Sequence, residues 1–218
     1  PVSILSTSIL FLVVIGLGNL TYSSKQKDLL SIKDDLIKQY KSLKIVPVPN
    51  ELPNLSLISN KNAPIRMVIF SDFQCPACKS LSKMVPSLMR RYKGKIDIKY
   101  LFYPLDNSCN SKMTYGLHPQ ACNAAKLSLC KKDELLRVHD EIFHEQESLD
   151  EEWINQKVST ENATECYNNP ETLKELISIV DLGNEIGIKS TPTFLLNDKK
   201  IEGVLPLTQM YILMDSLL

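Results

Sequence analysis

The sequence predicts an α/β fold in which a mixed β-sheet is flanked by helices. Three observations support this fold class. Apolar, β-rich runs occur early in the chain at Ile65–Phe70 and again late, at Thr193–Leu196. A segment with helical periodicity begins directly after the first run, near Pro76. Between the two runs lies a helical block, at about 119–187, which indicates an insertion between two parts of one sheet.

The strands are predicted from apolar runs bounded by turn residues. The Ile65–Phe70 run is apolar except for Arg66, as expected of a strand that is buried on both faces. The pair Asn197-Asp198 is expected to form the turn of a hairpin. In chain order, the strands are expected at Leu55–Ile58, Ile65–Phe70, Lys95–Tyr103, Thr193–Leu196 and Lys199–Ile201.

The helices are predicted from apolar residues at helical spacing and from capping signals. The helix that begins near Pro76 is expected to kink or weaken at Pro86, because proline removes a backbone donor. Asn169, followed by Pro170 and Glu171, is a capping pattern. The other helical patterns lie around 119–131, 133–146 and 150–157, and at Leu207–Leu218.

The N-terminal segment, residues 1–24, contains no charged side chain. The run from Val2 to Tyr22 is long and apolar enough to cross a bilayer as a helix, and a transmembrane helix is the expectation. A truncated signal peptide is the alternative, but no basic region precedes the run and no small-residue cleavage site follows it. The chain begins with Pro1 rather than Met, so a processed form or a fragment is expected.

Residues 25–54 are expected to form a linker between this helix and the folded domain. Lys25–Lys44 has the apolar spacing of an amphipathic helix. The stretch VPVPNELPN contains three prolines and cannot be a helix interior, so it is interpreted as a Pro-rich spacer. The folded domain is then expected at residues 55–218.

Composition excludes some functions and favours a compartment. The 25 basic and 25 acidic residues cancel, and the basic ones are scattered, so a nucleic-acid partner is not indicated. A hydrophobic content of 44% is enough for a sizeable core. Six cysteines, an even number beside a membrane segment, are typical of a protein in an oxidising compartment.

The stretch FSDFQCPACKS contains the strongest chemical signal, the pair Cys75 and Cys78. When a C-x-x-C pair opens a helix, the first cysteine lies where unpaired backbone N–H groups and the helix dipole stabilise a thiolate. The thiolate is the nucleophile in disulfide exchange. Cys78, one turn further, is expected to be shielded and to resolve a mixed disulfide. This pattern predicts a redox-active pair.

Two other interpretations of this pair were weighed. A zinc site needs two more ligands, but there is no second C-x-x-C, and His118, His139 and His144 lack ligand-like spacing. No metal is therefore expected. A purely structural disulfide between Cys75 and Cys78 is the other alternative, and so short a loop would give little entropic stabilisation.

A second motif, STPTF at Ser190–Phe194, precedes a predicted strand. Together with FSDFQCPACK and the inserted helical block, it resembles the thioredoxin-like fold in its DsbA-type form, over about residues 55–218. The resemblance implies that Cys75 is the nucleophile, that Cys78 is the resolving thiol, and that Thr191-Pro192 forms a cis-proline loop facing them. With Pro76 and Ala77, this loop would bind substrate. Ala77 supplies no positive charge.

A more particular resemblance is carried by YPLDNSCN, at Tyr103–Asn110, and by HPQACNAAKLSLC, at His118–Cys130. These stretches look like the thioredoxin-like domain attached to bacterial vitamin K epoxide reductase homologues. In that arrangement a last membrane helix leads into the redox domain. The resemblance implies that a quinone could take part through the membrane partner, with no cofactor in this domain.

The remaining four cysteines are expected to pair as Cys109–Cys122 and Cys130–Cys166, a choice that rests on the resemblance as well as on separation. Each bridge would stabilise the domain by roughly 3–4 kcal/mol in the loop-entropy model. Two alternatives stay open: in one the four are buried free thiols, and in the other Cys109 or Cys122 relays electrons to Cys75.

The three histidines are not assigned to the reaction. His118 is interpreted as a loop residue, and His139 and His144 as solvated residues of a polar helix. Trp153 and the apolar residues of Leu135–Phe143 are expected in the core.

The function expected from the sequence is that of a membrane-tethered thiol–disulfide oxidoreductase. It would oxidise substrate protein thiols outside the cytoplasm and pass the electrons to a quinone-reducing membrane partner. A reductase or isomerase is the alternative in the same chemistry, and a binding domain with structural cysteines is the alternative from another class. Lys25, Lys27 and Lys33 oppose the extracytoplasmic placement, because basic residues next to a membrane helix favour the cytoplasm.

Overall fold

The computed structural model describes residues 30–49 and 52–218 of the chain. Its strands are β1 Ser56–Ile58, β2 Ile65–Ser71, β3 Ile96–Phe102, β4 Thr193–Leu196 and β5 Lys199–Glu202. They form one mixed sheet in the order β1–β3–β2–β4–β5. β2 runs parallel to β3, whereas the β1–β3, β2–β4 and β4–β5 pairs are antiparallel. The early and late strands therefore meet at β2 and β4, as predicted for a sheet interrupted by an insertion.

The β4–β5 hairpin turns at the predicted Asn197-Asp198 pair. Both residues have positive φ, 43° and 64°, the backbone of the two-residue turn that matches strand twist. The Asn197 side chain anchors the turn, since its Oδ1 accepts a hydrogen bond from the Arg66 N–H at 2.7 Å. Asn and Asp tolerate this left-handed conformation, which explains why the turn forms without glycine.

The helices flank the sheet, and all of them except the short helix at Thr164–Asn168 lie where the sequence predicts a helix. The first, α1, occupies residues 30–42. The others are α2 Pro76–Ser82, α3 Val85–Arg91, α4 Ala121–Cys130, α5 Leu135–His144, α6 Glu151–Thr160, α7 Thr164–Asn168, α8 Pro170–Ile186 and α9 Leu207–Asp215. Pro86 does more than kink a helix: the chain breaks into α2 and α3, and Pro86 lies in the first turn of α3, where it is tolerated. The inserted block is α4 to α8, with α5 packed on β1 and α8 on β3.

Helix α8 shows the expected end signals. The Asn169 side chain caps its start by accepting a hydrogen bond from the Glu171 N–H at 3.0 Å. Its end is closed by Gly187 at a φ of 78°, where a residue with a side chain would be disfavoured.

The linker packs on the sheet. Tyr40 of α1 is buried, and its hydroxyl donates to the Leu196 carbonyl oxygen at 2.8 Å. The Lys199 ammonium donates to the Lys41 carbonyl oxygen at 2.6 Å, at the C-terminal end of α1 where a positive charge is favourable. The Val46 N–H donates to the Asp198 carbonyl oxygen at 2.8 Å. The linker is thus held against the β4–β5 hairpin at several points.

The predicted transmembrane helix at residues 1–24 lies outside the described residues. Within 30–49 and 52–218, no helix combines the length and apolar character that crossing a bilayer requires.

Gly183 is the point where α8 approaches the sheet most tightly. A Cβ there would lie 2.7 Å from the Tyr103 ring, and this ring cannot easily move because its hydroxyl donates to the Asn184 side chain at 2.7 Å. We expect Gly183→Ala to lower the free energy of unfolding by about 1–3 kcal/mol through overpacking, despite the better helix propensity of alanine. Urea unfolding measures this. Ser178→Ala on the exposed face of the same helix should leave stability within about 0.5 kcal/mol. Equal stability of the two variants would contradict the prediction.

Candidate active site

Cys75 lies at the junction of β2 and α2. It is the N-cap residue of α2, and Pro76 occupies the first turn. The backbone N–H groups of Ala77 and Cys78 help to lower the pKa of its thiol, although neither forms a well-aligned hydrogen bond to the sulfur. Only 7% of Cys75 is exposed, whereas Pro76 and Ala77 beside it are exposed. The sulfur is therefore reached from the side on which these two residues lie.

The pKa of Cys75 is lowered to about 6. The largest cause is the hydrogen bond with the Cys78 side chain, and the Thr191 side chain and the two N–H groups contribute further. Burial opposes the shift without cancelling it. Cys75 is therefore mainly a thiolate at neutral pH, which is the reactive form in disulfide exchange.

Cys78 has the opposite character. It is 1% exposed, and burial raises the pKa of its thiol, with the neighbouring Cys75 adding to the effect. The Asp72 N–H donates to its sulfur at 3.5 Å. Cys78 is thus a protonated thiol at neutral pH that can donate to the Cys75 thiolate. Both cysteines are free in this structure.

The Thr191-Pro192 loop faces Cys75, across 116 residues of sequence. The peptide bond between these residues is cis. The Cys75 sulfur lies 3.3 Å from the Thr191 carbonyl oxygen, which accepts a hydrogen bond from Cys75 when the thiol is protonated. The Thr191 hydroxyl is buried and has no hydrogen-bond partner among the described residues, so it remains available to the thiolate. The structure therefore brings together Cys75, Cys78 and the predicted loop.

An acidic residue that sequence reasoning missed lies beneath the site. Asp72 is buried between β2 and Cys75. One carboxylate oxygen accepts from the Gln74 N–H at 2.7 Å, and the other accepts from the Leu105 N–H at 2.7 Å and from His118 Nδ1 at 2.8 Å. Asp72 and His118 are 46 residues apart, so no spacing signal in the sequence linked them.

His118 is the second missed residue. The sequence placed it in a loop, and it does precede α4, but its ring is directed to the active site by Asp72. The hydrogen bond with Asp72 is the main reason why the pKa of His118 is raised, and the charge of Cys75 raises it further. A protonated His118 in turn stabilises the Cys75 thiolate, because the interaction between the two charges is mutual.

Two glutamines connect the inserted helical block to the active-site loop. Gln146, after α5, donates from Nε2 to the Phe73 carbonyl oxygen at 2.6 Å and to the Cys75 carbonyl oxygen at 3.0 Å. The Gln74 side chain accepts from the Gln120 N–H at 2.6 Å. The insertion thereby fixes the backbone that carries Cys75.

The other four cysteines form the disulfides Cys109–Cys122 and Cys130–Cys166. Because all four are bonded, the alternative of four buried free thiols does not hold in this structure. The alternative electron relay from Cys109 or Cys122 to Cys75 stays untested. The first bridge closes the loop that carries His118 to the site. The second connects α4 to α7 within the inserted block.

His139 was placed wrongly by the sequence interpretation. It was expected to be solvated, but it is fully buried against the rings of Phe73, Tyr100 and Phe143. His144 is exposed, as expected. Trp153 is only partly buried at the margin of the core. In the described residues, no group of three or more His, Cys, Asp or Glu side chains could hold a metal ion.

The electrostatic role of His118 gives a testable pH dependence. In the wild type, the rate at which iodoacetamide alkylates Cys75 follows the thiolate fraction. This rate should be half-maximal near pH 6 and should fall as the pH drops through that value. We expect His118→Gln to raise this midpoint by about one unit, because it removes a positive charge and leaves Asp72 unpaired. His144→Gln, at an exposed site, is the control and should leave the midpoint in place. A midpoint that His118→Gln does not move would contradict the coupling.

A family model described as thioredoxin matches residues 53–215, which is most of the chain. The chain belongs to the thioredoxin family. The expected thioredoxin-like fold with its mixed sheet is thus confirmed. This family member, which has a free cysteine pair at the start of α2, is a thiol–disulfide oxidoreductase.

Relatives of this family member include disulfide bond formation protein D of Bacillus subtilis. That protein is 26% identical over 160 residues, which cover 67% of this chain and 69% of the relative. The probable disulfide bond formation protein D of Bacillus cereus is 23% identical over 158 residues, covering 64% and 68%.

Solved structures share the fold of this family member. Alpha-DsbA1 of Wolbachia pipientis superposes with a TM-score of 0.62 at 20% identity, over 79% of this chain and 92% of that one. The catalytic domain of Proteus mirabilis ScsC superposes with a TM-score of 0.60 at 21% identity, over 86% and 96%.

Proposed function

We propose that this protein is an extracytoplasmic disulfide oxidase in which Cys75 is the nucleophile and Cys78 the resolving thiol. The observation that carries the proposal is the asymmetry of the pair: Cys75 is stabilised as a thiolate, while Cys78 is held as a buried thiol. Stabilising the thiolate stabilises the reduced pair, and a stabilised reduced form is what makes such a protein an oxidant. The names of the Bacillus relatives support the same direction.

The reaction begins with the pair oxidised. A substrate thiolate attacks the Cys75 sulfur, the Cys75–Cys78 bond breaks, and Cys78 leaves and takes up a proton. A second substrate thiolate then attacks the substrate sulfur of the mixed disulfide, and Cys75 leaves as a thiolate. The substrate gains a disulfide, and its two electrons remain on the Cys75–Cys78 dithiol. The low pKa of Cys75 favours this last step, because it is the better leaving group.

Substrate would bind across Pro76, Ala77 and the Thr191-Pro192 loop. The first two are exposed beside Cys75, and Thr191 presents its carbonyl group to the same sulfur. An extended substrate segment could pair with the backbone of Thr191, a recurrent mode of peptide recognition. Its cysteine would then lie next to Cys75.

The reduction potential of the Cys75–Cys78 pair tests the proposed direction. Equilibration with glutathione at several ratios, followed by alkylation and mass spectrometry, measures it. An oxidase is expected to have a potential above about −200 mV, towards protein disulfide isomerase and DsbA. A value near −270 mV, as in thioredoxin, would favour a reductase instead. Ala77, which provides no positive charge, makes this measurement necessary. A pair that does not exchange with glutathione would indicate a binding domain.

We further propose that residues 1–24 tether the protein to the membrane and that a disulfide of a quinone-reducing membrane partner reoxidises the dithiol. The charge-free segment, the two structural disulfides and the vitamin K epoxide reductase resemblance support this. A membrane-impermeant alkylating reagent, added to intact cells, should label reduced Cys75 in the membrane fraction. If Cys75 were labelled only after cell lysis, the extracytoplasmic placement would be wrong. If the protein were recovered in the soluble fraction, the membrane tether would be wrong.

A further inference from the structure

Cys78 must lose and regain a proton in every catalytic cycle, although it is buried. In the proposed function, on which this inference rests, Cys78 takes up a proton when the substrate displaces it. It must lose that proton when it attacks the mixed disulfide formed between Cys75 and the reoxidising partner. Its sulfur is closed off from solvent, so the proton needs a path through the protein.

Two buried polar groups beneath Cys78 have no hydrogen-bond partner in the described parts of the chain. They are the Tyr100 hydroxyl and His139 Nε2. Such groups are rare in protein interiors, because an unpaired buried polar atom is costly. The two rings are perpendicular neighbours, with centroids 4.6 Å apart. Packing alone would be served better by phenylalanine at either position.

Tyr100 is connected to Cys78 through Ser71. The Ser71 side chain lies close enough to lower the pKa of both the Cys78 thiol and the Tyr100 phenol, although it makes no well-formed hydrogen bond to the phenol. The charge of a Cys78 thiolate acts on Tyr100 as well, in the direction that keeps the phenol protonated. Ser71 is two residues along β2 from Ile69, the partner of Tyr100 on β3, so its side chain lies on the same face of the sheet as the phenol. The N–H of the next residue reaches the Cys78 sulfur, and Ser71 is therefore the group that we place between the thiol and the phenol.

His139 is connected to the surface through Asp140. His139 Nδ1 lies 2.9 Å from Asp140 Oδ1, and 51% of the Asp140 side chain is exposed. Because Nδ1 donates to this carboxylate, Nε2 of the neutral ring is left as an acceptor that faces the interior. The chain of groups thus begins at Cys78 and ends at solvent.

Asp72, the nearest carboxylate, is a poorer acceptor for this proton. Its two carboxylate oxygens already accept three hydrogen bonds, from the N–H groups of Gln74 and Leu105 and from His118. Only its backbone N–H is directed to the Cys78 sulfur. Asp72 therefore serves the charge balance around Cys75 rather than the proton transfer from Cys78.

We propose that Ser71, Tyr100 and His139 form a proton path that connects Cys78 to Asp140 at the protein surface. When Cys75 is held in a mixed disulfide, the proton passes from Cys78 through the two hydroxyls, with a bridging water where needed, to His139 Nε2.

The exchange step that follows is balanced. The Cys78 thiolate attacks the Cys75 sulfur, the bond from Cys75 to the partner sulfur breaks, and the partner leaves as a thiolate. The Cys75–Cys78 pair is oxidised by two electrons, and the partner disulfide is reduced. Asp140 stabilises the protonated His139 until its proton passes to water. When a substrate displaces Cys78, the proton returns along the same groups.

A chromogenic aromatic disulfide separates the two thiol steps in one experiment. Attack by Cys75 releases the first coloured thiolate, and attack by Cys78 on the mixed disulfide releases the second. We expect Tyr100→Phe and His139→Phe to leave the first release unchanged and to slow the second roughly 100-fold, the low end of what a positioned acid or base contributes. The double variant should be no slower than either single variant, because both interrupt one path.

The pH profile gives a readout that a structural role would not move. The titratable groups beside His139 are Tyr100 from β3 and Asp140 from α5. Cys78, Asp72 and Cys75, from the active-site segment, act on Tyr100. Burial lowers the pKa of His139, so the neutral ring, which can accept a proton, prevails at neutral pH. The rate of the second release in the wild type should therefore vary little with pH in this range. In Tyr100→Phe the rate of the second release should rise about tenfold per pH unit, because hydroxide from the solvent must remove the Cys78 proton.

The controls separate proton transfer from packing. Tyr100→Phe should not lower the free energy of unfolding, since the lost hydroxyl was unpaired. Phe143→Leu loosens the packing around His139 without removing a proton carrier, and should leave the second release unchanged; if it slows that step equally, packing is the cause and the proton path is wrong. The proton path would also be wrong if Tyr100→Phe and His139→Phe both gave the second release at the wild-type rate. The same holds if Asp72→Asn were the one variant that slowed this release. Absence of the first release in the wild type would instead contradict the proposed function.

Discussion

Cys75→Ser is expected to abolish thiol–disulfide exchange, whereas Cys78→Ser should retain the first step and accumulate mixed disulfides. The reason is the asymmetry of the pair. Serine at position 75 removes the only thiolate that solvent and substrate can reach, and the Cys78 thiol is buried and protonated. In Cys78→Ser, Cys75 still attacks, but no neighbouring thiol can release the partner.

Non-reducing gel electrophoresis after incubation with a reduced, unfolded cysteine-containing protein measures both outcomes. Cys78→Ser should give a covalent adduct that dithiothreitol dissolves, and Cys75→Ser should give none. A variant with both Cys130 and Cys166 changed to alanine is the control, and should turn over normally while it is folded. Faster alkylation of Cys78 than of Cys75 in the reduced wild type would reverse the assignment.

Removal of the Cys130–Cys166 disulfide is expected to have the largest effect on stability. The bridge spans 36 residues of the inserted block, and the loop-entropy model gives it about 4 kcal/mol. The Cys109–Cys122 bridge spans 13 residues and should contribute about 3 kcal/mol. Urea unfolding of the paired alanine variants measures both values. Unfolding free energies equal to that of the wild type would show that the bridges do not constrain the unfolded chain.

The two bridges should differ in their effect on the active site. Cys109–Cys122 closes the loop that brings Leu105 and His118 to Asp72. Its removal is therefore expected to raise the pH midpoint of Cys75 alkylation in the same direction as His118→Gln. Removal of Cys130–Cys166, which holds α4 to α7, should leave that midpoint unchanged. Equal shifts in both variants would mean that the effect reflects general loosening.

The parts of the site that could be predicted from the sequence are those that short sequence motifs contain. Cys75 and Cys78 are three residues apart at a strand-to-helix junction. The Thr191-Pro192 loop directly precedes a strand that pairs with β2, but its role was implied by the family resemblance of the STPTF motif rather than by the local pattern. Such motifs need no knowledge of long-range contacts. The sheet was predictable for the same reason, because each strand is bounded by its own turn residues.

Asp72 and His118 could not be found in this way. Their contact depends on the loop between β3 and α4, whose course is set by a disulfide and by backbone hydrogen bonds rather than by a periodic pattern. The only available signal was chemical: Asp72 follows a buried strand and stands three residues before Cys75, where a carboxylate needs a partner.

His139 is different, because its burial was predictable and was missed. In α5, the buried residues Leu135, Val138, Ile142 and Phe143 follow helical spacing, and His139 falls on the same face. The prediction was wrong because it relied on the overall polarity of the helix and not on the face of the helix to which His139 belongs. A histidine on an apolar face should have been treated as a buried titratable group.

The docked linker also protects the margin of the sheet. An outermost strand exposes unpaired N–H and C=O groups, to which another chain could add. On one side, β1 is only three residues long and offers little to pair with. On the other, β5 carries two lysines and a glutamate, and Ile45 of the linker forms a bridge to Lys199 at its start. The linker thus hinders edge-to-edge aggregation of a protein whose proposed substrates include extended segments that could pair with an open strand.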